Sequence, residues 1–192
     1  MNDQQILAAF KECGALLHGH FKLTSGLHSD SYIQCARVLE HPGLTNELAQ
    51  EAVARLPQDL NIDMVAAPAV GGILFGFAVA AVLQTRLIFC ERTDGRMQFR
   101  RSFVIPPSSR VLVCEDVVTT GGSVLELIEL VKAAGGEIVA VLSMVDRGKK
   151  PDFGSPYYPL MTLETPSWTP ETCTLCQTDQ KITVPGSREL AN

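Results

Sequence analysis

The sequence predicts an α/β domain in which helices flank a mainly parallel β-sheet. Short apolar runs, such as those around Val65 and Val113, alternate with stretches whose apolar residues are spaced like one face of a helix. Strands that alternate with helices in this way pair in parallel, and the helices cover the faces of the sheet. The chain has 192 residues, of which 46% are hydrophobic. It is therefore large enough for one domain, 1–192, with a substantial core.

The first predicted elements are a helix and then extended segments, within an N-terminal portion of residues 1–40. The helix has one apolar side, formed by Ile6, Leu7, Phe10, Leu16 and Leu17. The next stretch contains two groups of small polar residues, Thr24-Ser25-Gly26 and Ser29-Asp30-Ser31, between apolar residues. This pattern predicts extended pieces around an exposed loop.

The middle of the chain predicts a helix, a strand, a second helix and a hairpin. The first helix covers residues 44–56 and is ended by Pro57, the strand lies around Val65, and the second helix begins near Ile73. The segment RLIFCERTDGRMQFRRSFVI then predicts a β-hairpin whose turn is Asp94-Gly95.

Part of this region, residues 64–85, is uncharged and long enough to suggest a transmembrane segment. Pro68 and the pair Gly71-Gly72 interrupt it. These residues favour a short buried strand, a tight loop and a buried helix instead. We therefore expect no membrane segment.

The last regular elements predicted are a strand at 110–114, a helix at 123–134 and a strand at 138–145. Gly135-Gly136 provides the stop signal after the helix. From Lys149 onward, several prolines and a CxxC pair predict a less regular C-terminal flank, residues 149–192.

Charge and composition limit the partners and the compartment. The formal net charge of -5 argues against broad electrostatic binding of nucleic acid, so a small-molecule partner is expected. The start, MNDQQILAAF, lacks the basic residues and long apolar core of a secretory signal. The six cysteines are scattered, which favours reduced thiols, and together these features predict the cytoplasm.

Cys173 and Cys176 form a CxxC pair in the flank. Such a pair supplies two of the four ligands of a structural zinc, and no suitably spaced Cys/His pair is nearby in the sequence. We therefore favour a reduced turn over metal or redox chemistry and assign no residue as a metal ligand.

Three consecutive predicted strands end in unusual loops, namely APAVGG, CEDVVTTGGS and VDRG. In an open α/β sheet, ligands bind beyond the carboxyl ends of the strands. That rim of the sheet is the predicted site.

The loop CEDVVTTGGS has the residues that a phosphorylated sugar requires. Gly121 and Gly122 allow a tight turn, and the helix start that follows presents unpaired N–H groups and a positive dipole end to a phosphate. Hydroxyl groups lie beside this turn, on Thr119, Thr120 and Ser123. The adjacent acids Glu115 and Asp116 can accept hydrogen bonds from ribose hydroxyls or help to position a hydrated Mg²⁺.

A plain strand-to-helix connection with a capping acid is the alternative for this loop. Two adjacent acids favour the phosphosugar site over that alternative. The sequence contains no GxxxxGK[ST], and no GxGxxG follows a strand, so neither a P-loop nucleoside triphosphatase nor a dinucleotide site is supported.

The stretch VLVCEDVVTTGGS resembles the phosphoribosyl-diphosphate (PRPP) binding motif of type I phosphoribosyltransferases. Other segments resemble parts of the orotate phosphoribosyltransferases within that group: FKLTSGLHSDSYI the base-binding segment, APAVGGI the diphosphate loop, and MVDRG the strand end that carries a base-contacting arginine. These motifs occur in family order and cover roughly residues 21–148.

The resemblance implies a type I phosphoribosyltransferase fold in which residues 1–40 bind the base. It also implies that PRPP and orotate, with Mg²⁺, give orotidine 5'-phosphate and diphosphate in pyrimidine biosynthesis, and that the chain forms a homodimer. The implied PRPP-binding residues are Ala69, Val70, Gly71, Gly72, Glu115, Asp116, Val118, Thr119, Thr120, Gly121, Gly122 and Ser123. The implied orotate-binding residues are Ser25, Gly26, Tyr32, Thr119 and Arg147.

Two of these orotate-binding residues also have structural alternatives. Arg147 suits the orotate carboxylate through its planar fork, but it can instead pair with Asp146 or a surface acid. Tyr32 can simply be packed.

The predicted hairpin departs from the family, whose members carry a longer mobile loop with lysines and a histidine. Here ERTDGRMQFRRSF contains four arginines and neither Lys nor His, and Gly71 stands where many relatives carry a lysine. Arg92 matches the loop-starting arginine, so it is expected to be catalytic together with Glu115 and Asp116. A solvated hairpin is the alternative.

Two other functions remain open at this stage. One is a phosphoribosyltransferase for another base, and the other is a non-catalytic PRPP-sensing regulator, which the departing hairpin favours modestly. The chain has no added DNA-binding segment or excess of basic residues, which argues against the regulator.

For the enzyme, the expected chemistry is positioning and electrostatic stabilisation of a sugar cation, without a covalent nucleophile.

Overall fold

A computed structural model describes residues 1–23, 25–148, 151–178 and 180–185. Thr24 of the predicted N-terminal loop lies outside these ranges. So do Lys149, Lys150, Asp179 and residues 186–192 of the predicted flank.

The N-terminal portion is a capped helix followed by a β-hairpin. Helix α1, Asp3–Glu12, begins with a capping box in which Asn2 and Gln5 exchange side-chain and backbone hydrogen bonds. Strands β1, Leu16–Lys22, and β2, His28–Ile33, then pair in antiparallel fashion. The prediction that Leu16 and Leu17 continue the first helix is wrong, because the chain turns after Glu12 and both leucines lie in β1.

The middle segment contains three helices and three strands. The predicted elements here are confirmed, and a short helix not predicted from the sequence, α2, precedes them. Their bounds are α2 Ala36–Leu39, α3 Pro42–Ala54, β3 Met64–Pro68, α4 Gly71–Leu83, β4 Arg86–Thr93 and β5 Arg96–Phe99. The hairpin turn lies at Asp94 and Gly95, both with positive φ angles, as the sequence predicts.

The last segment extends the sheet further than the sequence predicted. The elements are β6 Arg110–Val118, α5 Gly122–Ala133, β7 Glu137–Asp146, β8 Tyr157–Thr162, a 3₁₀ turn Cys176–Thr178 and β9 Ile182–Thr183. Strand β8 lies in the flank that was expected to be irregular. Its residues pair in parallel with β7, from Val141–Tyr157 to Asp146–Thr162.

The main sheet has six strands in the order β5-β4-β3-β6-β7-β8. All neighbouring pairs are parallel except the β4–β5 hairpin. Successive connections run outwards in opposite directions from the neighbouring strands β3 and β6, so the order reverses between them. Ligands of open α/β sheets bind in the crevice outside the carboxyl ends of the strands at such a reversal.

Two apolar clusters cover the two faces of this sheet. One contains residues of α1 to α4, and the other contains residues of α5 and of the hairpin. Alternate residues of β6 join the two clusters: Leu112 and Cys114 belong to the first, and Val111 and Val113 to the second. Strand β6 is therefore packed on both faces, as expected for a central parallel strand.

Within the described residues, no helix is both long enough and apolar enough to cross a bilayer. The uncharged stretch at 64–85 instead forms β3 and the 13-residue helix α4. The division at Pro68 and Gly71 that the sequence predicts is confirmed.

The turn from β6 into α5 depends on Gly121, the N-cap residue of the helix. Its φ angle of 80° lies in the left-handed region, where a side chain is disfavoured. A Cβ at this position would also lie 2.8 Å from Phe153 Cε1 and 2.9 Å from Pro151 Cγ. The flank after β7 is therefore packed directly against the turn.

Gly121→Ala is expected to destabilise the protein more than Gly95→Ala. Gly95 is a matched control, because its φ angle is 79° and a Cβ there meets no atom within 4 Å. The left-handed backbone alone costs about 1–2 kcal/mol for an alanine, and the contacts with Phe153 and Pro151 add to this only at Gly121. The free energies of unfolding in urea measure the difference. Equal values for the two variants would show that the flank does not press on the turn.

Candidate active site

The acidic pair lies within β6 rather than beyond its end. The sequence predicted that the strand stops at Cys114, but β6 continues to Val118. It does so because the ladder with β7 continues, with Glu115 opposite Ser143 and Val118 opposite Asp146. Glu115 and Asp116 are consequently held by the sheet at its carboxyl edge.

The first turn of α4 approaches both carboxylates closely. A Cβ on Gly71 would lie 2.2 Å from Asp116 Oδ2, and a Cβ on Gly72 would lie 2.8 Å from Glu115 Oε1. Distances below 3.0 Å are not tolerated by real Cβ atoms. A side chain at position 71 would therefore require the Asp116 carboxylate to move.

Glu115 is almost completely buried, with 8% of its surface exposed. Burial raises the pKa of its carboxyl well above the usual range, and the charge of Asp116 raises this pKa further. The backbone N–H of Asp116 donates a hydrogen bond to Glu115 Oε1 at 3.1 Å, which opposes the shift. The pair thus combines a buried acid with a partly exposed one.

A small pocket of about 60 Å³ follows the acidic pair. It is lined by the residues that the resemblance assigns to a phosphate, together with three of their neighbours: Glu115, Val117, Val118, Thr119, Thr120, Gly121, Gly122, Ser123 and Val124. The N–H groups in the first turn of α5 have no partner within the helix and are available to an anion. The structure therefore brings the predicted phosphate loop together at one helix start.

A second cleft, of about 380 Å³, adjoins this pocket and shares Val117, Thr119 and Thr120 with it. Ser25, Tyr32, Thr119 and Arg147, which the sequence assigns to orotate, all line it. Gly26 does not; it lies in the turn between β1 and β2, where its N–H donates to the carbonyl of Leu23. Thr165 and Ser167 also line the cleft, and no motif in the sequence marked these two residues.

Arg147 is directed at the cleft by Thr165. Its Nε lies 3.1 Å from Thr165 Oγ1, and its Nη2 also donates to that oxygen. Burial lowers the pKa of its guanidinium. An anion bound in the cleft would oppose this effect, because a nearby negative charge stabilises the protonated guanidinium. Asp146, the alternative partner of Arg147, does not pair with it in the structure; its Oδ1 instead accepts a hydrogen bond from the N–H of Gly148.

Tyr32 stands between the 380 Å³ cleft and a groove of about 590 Å³ on its other side. Burial is the main cause of the raised pKa of its hydroxyl, and its ring lies 5.8 Å from that of Phe21. The larger groove is lined by residues of α1, β1 and β2 and contains neither the acidic pair nor the phosphate turn. The 380 Å³ cleft, rather than this groove, is therefore the candidate site for the base.

Arg92 lies in β4 and is paired with a residue of α5. Its Nη2 is 2.7 Å from Glu126 Oε1, and its Nη1 donates to the carbonyl of Gly95. Arg92 is two residues beyond Cys90, whose carbonyl accepts the N–H of Ala69 in the predicted diphosphate loop. The guanidinium is thus held at α5, while the strand that carries it is bonded to the diphosphate loop two residues earlier.

The other three arginines of the hairpin region do not converge on one point. Arg101 is bound to Glu91 at 2.9 Å and lies over the ring of Phe89. Arg96 and Arg100 are exposed. The arginines of the hairpin region therefore have different surroundings and are not gathered at one place.

Comparisons with known proteins identify the family of the chain. Residues 36–168 match the family model described as "Phosphoribosyl transferase domain". The orotate phosphoribosyltransferase of Heliobacterium modesticaldum is 47% identical over 190 residues, which cover 98% of this chain and 100% of that protein. That of Chlorobaculum parvum is 47% identical over 192 residues, covering 100% and 99%.

A solved structure, the orotate phosphoribosyltransferase of Aeropyrum pernix, superposes with a TM-score of 0.72 at 28% identity. The match covers 82% of this chain and 93% of that one. Fold and sequence similarity therefore show that the chain belongs to the orotate phosphoribosyltransferases, type I phosphoribosyltransferases that join the phosphoribosyl group of PRPP to orotate in pyrimidine biosynthesis.

Proposed function

We propose that the rim of the sheet carries out this transfer with the residues that meet there. The observation that carries the proposal is the junction of three parts. The acidic pair, the phosphate pocket and the cleft with Arg147 are contiguous, because the pocket and the cleft share three residues. A phosphorylated sugar and a base can occupy adjoining spaces of this kind at the same time.

Each part of PRPP has a matching surface. The 5'-phosphate binds at residues 118–123, where α5 begins. The ribose hydroxyls donate to Glu115 and Asp116. The diphosphate binds the backbone of Ala69, Val70, Gly71 and Gly72 at the start of α4, the other helix terminus that faces the acidic pair.

Orotate binds in the cleft, with its carboxylate at Arg147. The half-buried guanidinium offers a planar pair of N–H donors, which suits a carboxylate. Ser25 and Thr119 contribute hydroxyl groups, Gly26 shapes the adjoining turn, and Tyr32 forms the wall towards the larger groove. Thr165, which also lines the cleft, orients Arg147 through its hydroxyl group.

The chemistry follows from the charges that develop during transfer. Loss of diphosphate creates positive charge on the ribose and negative charge on the leaving group. The carboxylates of Glu115 and Asp116 stabilise the ribose side, and the N–H groups of α4 and the guanidinium of Arg92 stabilise the leaving group. Binding orotate beside the ribose converts the encounter into a positioned reaction.

Mg²⁺ fits this site as the cofactor. The acidic pair and the hydroxyl groups of the phosphate turn offer only oxygen atoms, the donors that Mg²⁺ prefers, and Mg²⁺ is commonly bound by one or two carboxylates together with substrate phosphates. Asp116 is the better placed carboxylate, because it is less buried than Glu115. When bound, the ion supplies charge neutralisation for the diphosphate.

We also propose a homodimer in the cytoplasm. Val70, Leu74 and Phe77 form an apolar stripe along α4, exposed by 75%, 50% and 66%. Such a stripe, spaced as one helix face, is typical of an interface. The cytoplasm suits the six cysteines, none of which forms a disulfide in the structure.

Turnover of the purified protein with PRPP, Mg²⁺ and a panel of bases tests the function. Ultraviolet absorbance of orotate should fall only when both PRPP and Mg²⁺ are present. Turnover of another base alone would place the protein in a different substrate class. Tight binding of PRPP without turnover of any base would favour the regulatory alternative.

Substitution of the acidic pair should separate activity from stability. Asp116→Asn, and to a lesser extent Glu115→Gln, should lower kcat/KM for PRPP by about tenfold or more, as expected when a charged hydrogen-bond acceptor is lost. Unchanged kcat/KM in both variants would contradict the ribose assignment.

Glu115→Gln should also change how stability depends on pH. Folding raises the pKa of Glu115. The protonated carboxyl of Glu115 therefore contributes to stability in full below the usual glutamate pKa, and this contribution is lost as the pH rises through the pKa of Glu115 in the folded protein. The variant cannot ionise, so its melting temperature should equal or exceed that of the wild type at pH 8. A lower melting temperature at pH 8 would show that the ionised form is stabilised in the fold.

Arg92→Ala should lower kcat by about 10²-fold or more, the scale seen when one preorganised transition-state donor is removed. Arg96→Ala should change kcat little, since Arg96 is exposed beside the turn. Glu126→Gln separates a catalytic role of Arg92 from a structural role in the hairpin, because it removes the ion pair and keeps the arginine. A loss as large in Glu126→Gln as in Arg92→Ala would mean that the arginine only holds the hairpin.

Phe77→Glu should convert a dimer into a monomer, because it places a charge in the apolar stripe of α4. Val104→Glu is the matched control, with a similarly exposed apolar side chain, 64%, outside the stripe. Light scattering after size-exclusion chromatography gives the mass in solution. An unaltered mass for Phe77→Glu would exclude this face as the interface.

A further inference from the structure

A cluster of four possible metal ligands lies outside the active site. It contains His20 of β1, His28 at the start of β2, and Cys173 and Cys176 of the C-terminal flank. One donor atom from each residue lies within 4.8 Å of every other. The sequence alone does not indicate this cluster, because the CxxC has no Cys/His pair near it along the chain, and the fold supplies both histidines from about 150 residues away.

The separations between donor atoms are close to those of a tetrahedral site: two lie within the expected range and two are slightly shorter. His20 Nε2 lies 3.0 Å from His28 Nδ1 and 3.5 Å from Cys173 Sγ. Cys176 Sγ lies 3.7 Å from His20 Nε2 and 3.2 Å from His28 Nδ1. Zinc bonds of about 2.0–2.1 Å to nitrogen and 2.3 Å to sulfur imply tetrahedral edges of about 3.3–3.8 Å.

The surroundings also prepare the histidines for a metal. His20 Nδ1 lies 2.8 Å from the backbone carbonyl of Gln180. Because only an N–H can donate to that carbonyl, the proton of a neutral His20 is on Nδ1, and Nε2 presents its lone pair to the cluster. His20, His28 and Cys173 are buried, and Cys176 is exposed. The cluster thus has one open side through which an ion can enter.

We propose that His20, His28, Cys173 and Cys176 bind a structural Zn²⁺ that fastens the C-terminal flank to the N-terminal hairpin. Two thiolates and two imidazoles form a Cys₂His₂ set, which is characteristic of closed structural zinc sites. Two soft sulfur ligands disfavour Mg²⁺ and Ca²⁺. The site is therefore different in chemistry from the oxygen-lined active site.

The zinc site joins segments that also shape the base cleft. Trp168 exchanges backbone hydrogen bonds with His28 at 2.8 and 2.9 Å, and Ser29 Oγ donates to the carbonyl of Pro166 at 2.7 Å. Thr165 and Ser167, on either side of Pro166, line the cleft. The metal therefore holds in place the segment that orients Arg147, a consequence that rests on the proposed function.

Metal content of the untagged, full-length protein tests the proposal. The wild type should retain about one Zn²⁺ per chain after dialysis, measured by elemental analysis, and Cys176→Ser should lose it. Cys176 is chosen because its exposure limits damage to the core. Cys13→Ser and His18→Gln are the matched controls outside the cluster and should retain the metal.

Two further measurements do not depend on any variant. The wild type reconstituted with Co²⁺ should show the visible absorption of a tetrahedral ion and a sulfur-to-cobalt charge-transfer band. Removal of zinc by a chelator should lower the melting temperature by about 5 °C or more, and Zn²⁺ alone should restore it. Both readouts are independent of turnover, so the zinc site and the proposed catalytic function can fail separately.

Three results would overturn the proposal. They are a wild type that neither contains Zn²⁺ nor binds Co²⁺ with this spectrum, a Cys176→Ser variant that keeps its zinc, and equal loss of zinc in the two controls. If the zinc is confirmed, its role in positioning predicts that Cys176→Ser raises KM for orotate more than KM for PRPP. Equal KM values for orotate in this variant and the wild type would limit the metal to stability alone.

Discussion

The close approach of the first turn of α4 to the acidic pair of β6 is the contact on which the active site depends. Strands β3 and β6 are neighbours, but the helices that follow them lie on opposite faces of the sheet. The chain therefore opens between the two strand ends. Gly71 and Gly72 let α4 begin directly against the carboxylates of Asp116 and Glu115. Two helix starts and two acids become one rigid unit through this contact.

Local signals were sufficient to predict the central part of this unit. The apolar run of β6, the glycines at 121 and 122 and the helical spacing after Ser123 identify strand, turn and helix, and the structure confirms them. Asp94-Gly95 likewise identified the hairpin turn. The errors lie where tertiary contacts decide. Leu16 and Leu17 fit a helical face but pair with β2, and Glu115 stays in the strand because β7 continues the ladder.

The parts that the sequence could not predict involve residues far apart along the chain. Strand β8 has weak strand signals and forms because β7 offers a free edge. Thr165 belongs to the site only because Arg147 bends towards it. The cysteines of the CxxC pair face histidines that no spacing rule connects with them. Each of these features depends on a contact with a residue that is distant in the sequence, so neither hydrophobic periodicity nor a local motif can predict it.

The pairing of the last described strand with the first has a consequence for the order of folding during synthesis. Strand β9 pairs with β1, and Trp168 pairs with His28, so the N-terminal hairpin takes its partners from residues that follow the central sheet in the sequence. A ribosome synthesises these partners after the strands of the central sheet. The N-terminal hairpin, which forms one wall of the cleft, therefore stays incompletely covered while the central sheet forms from contacts that are closer in sequence. Under the proposed function, the cleft for the base is then completed only after these later segments have paired with the hairpin.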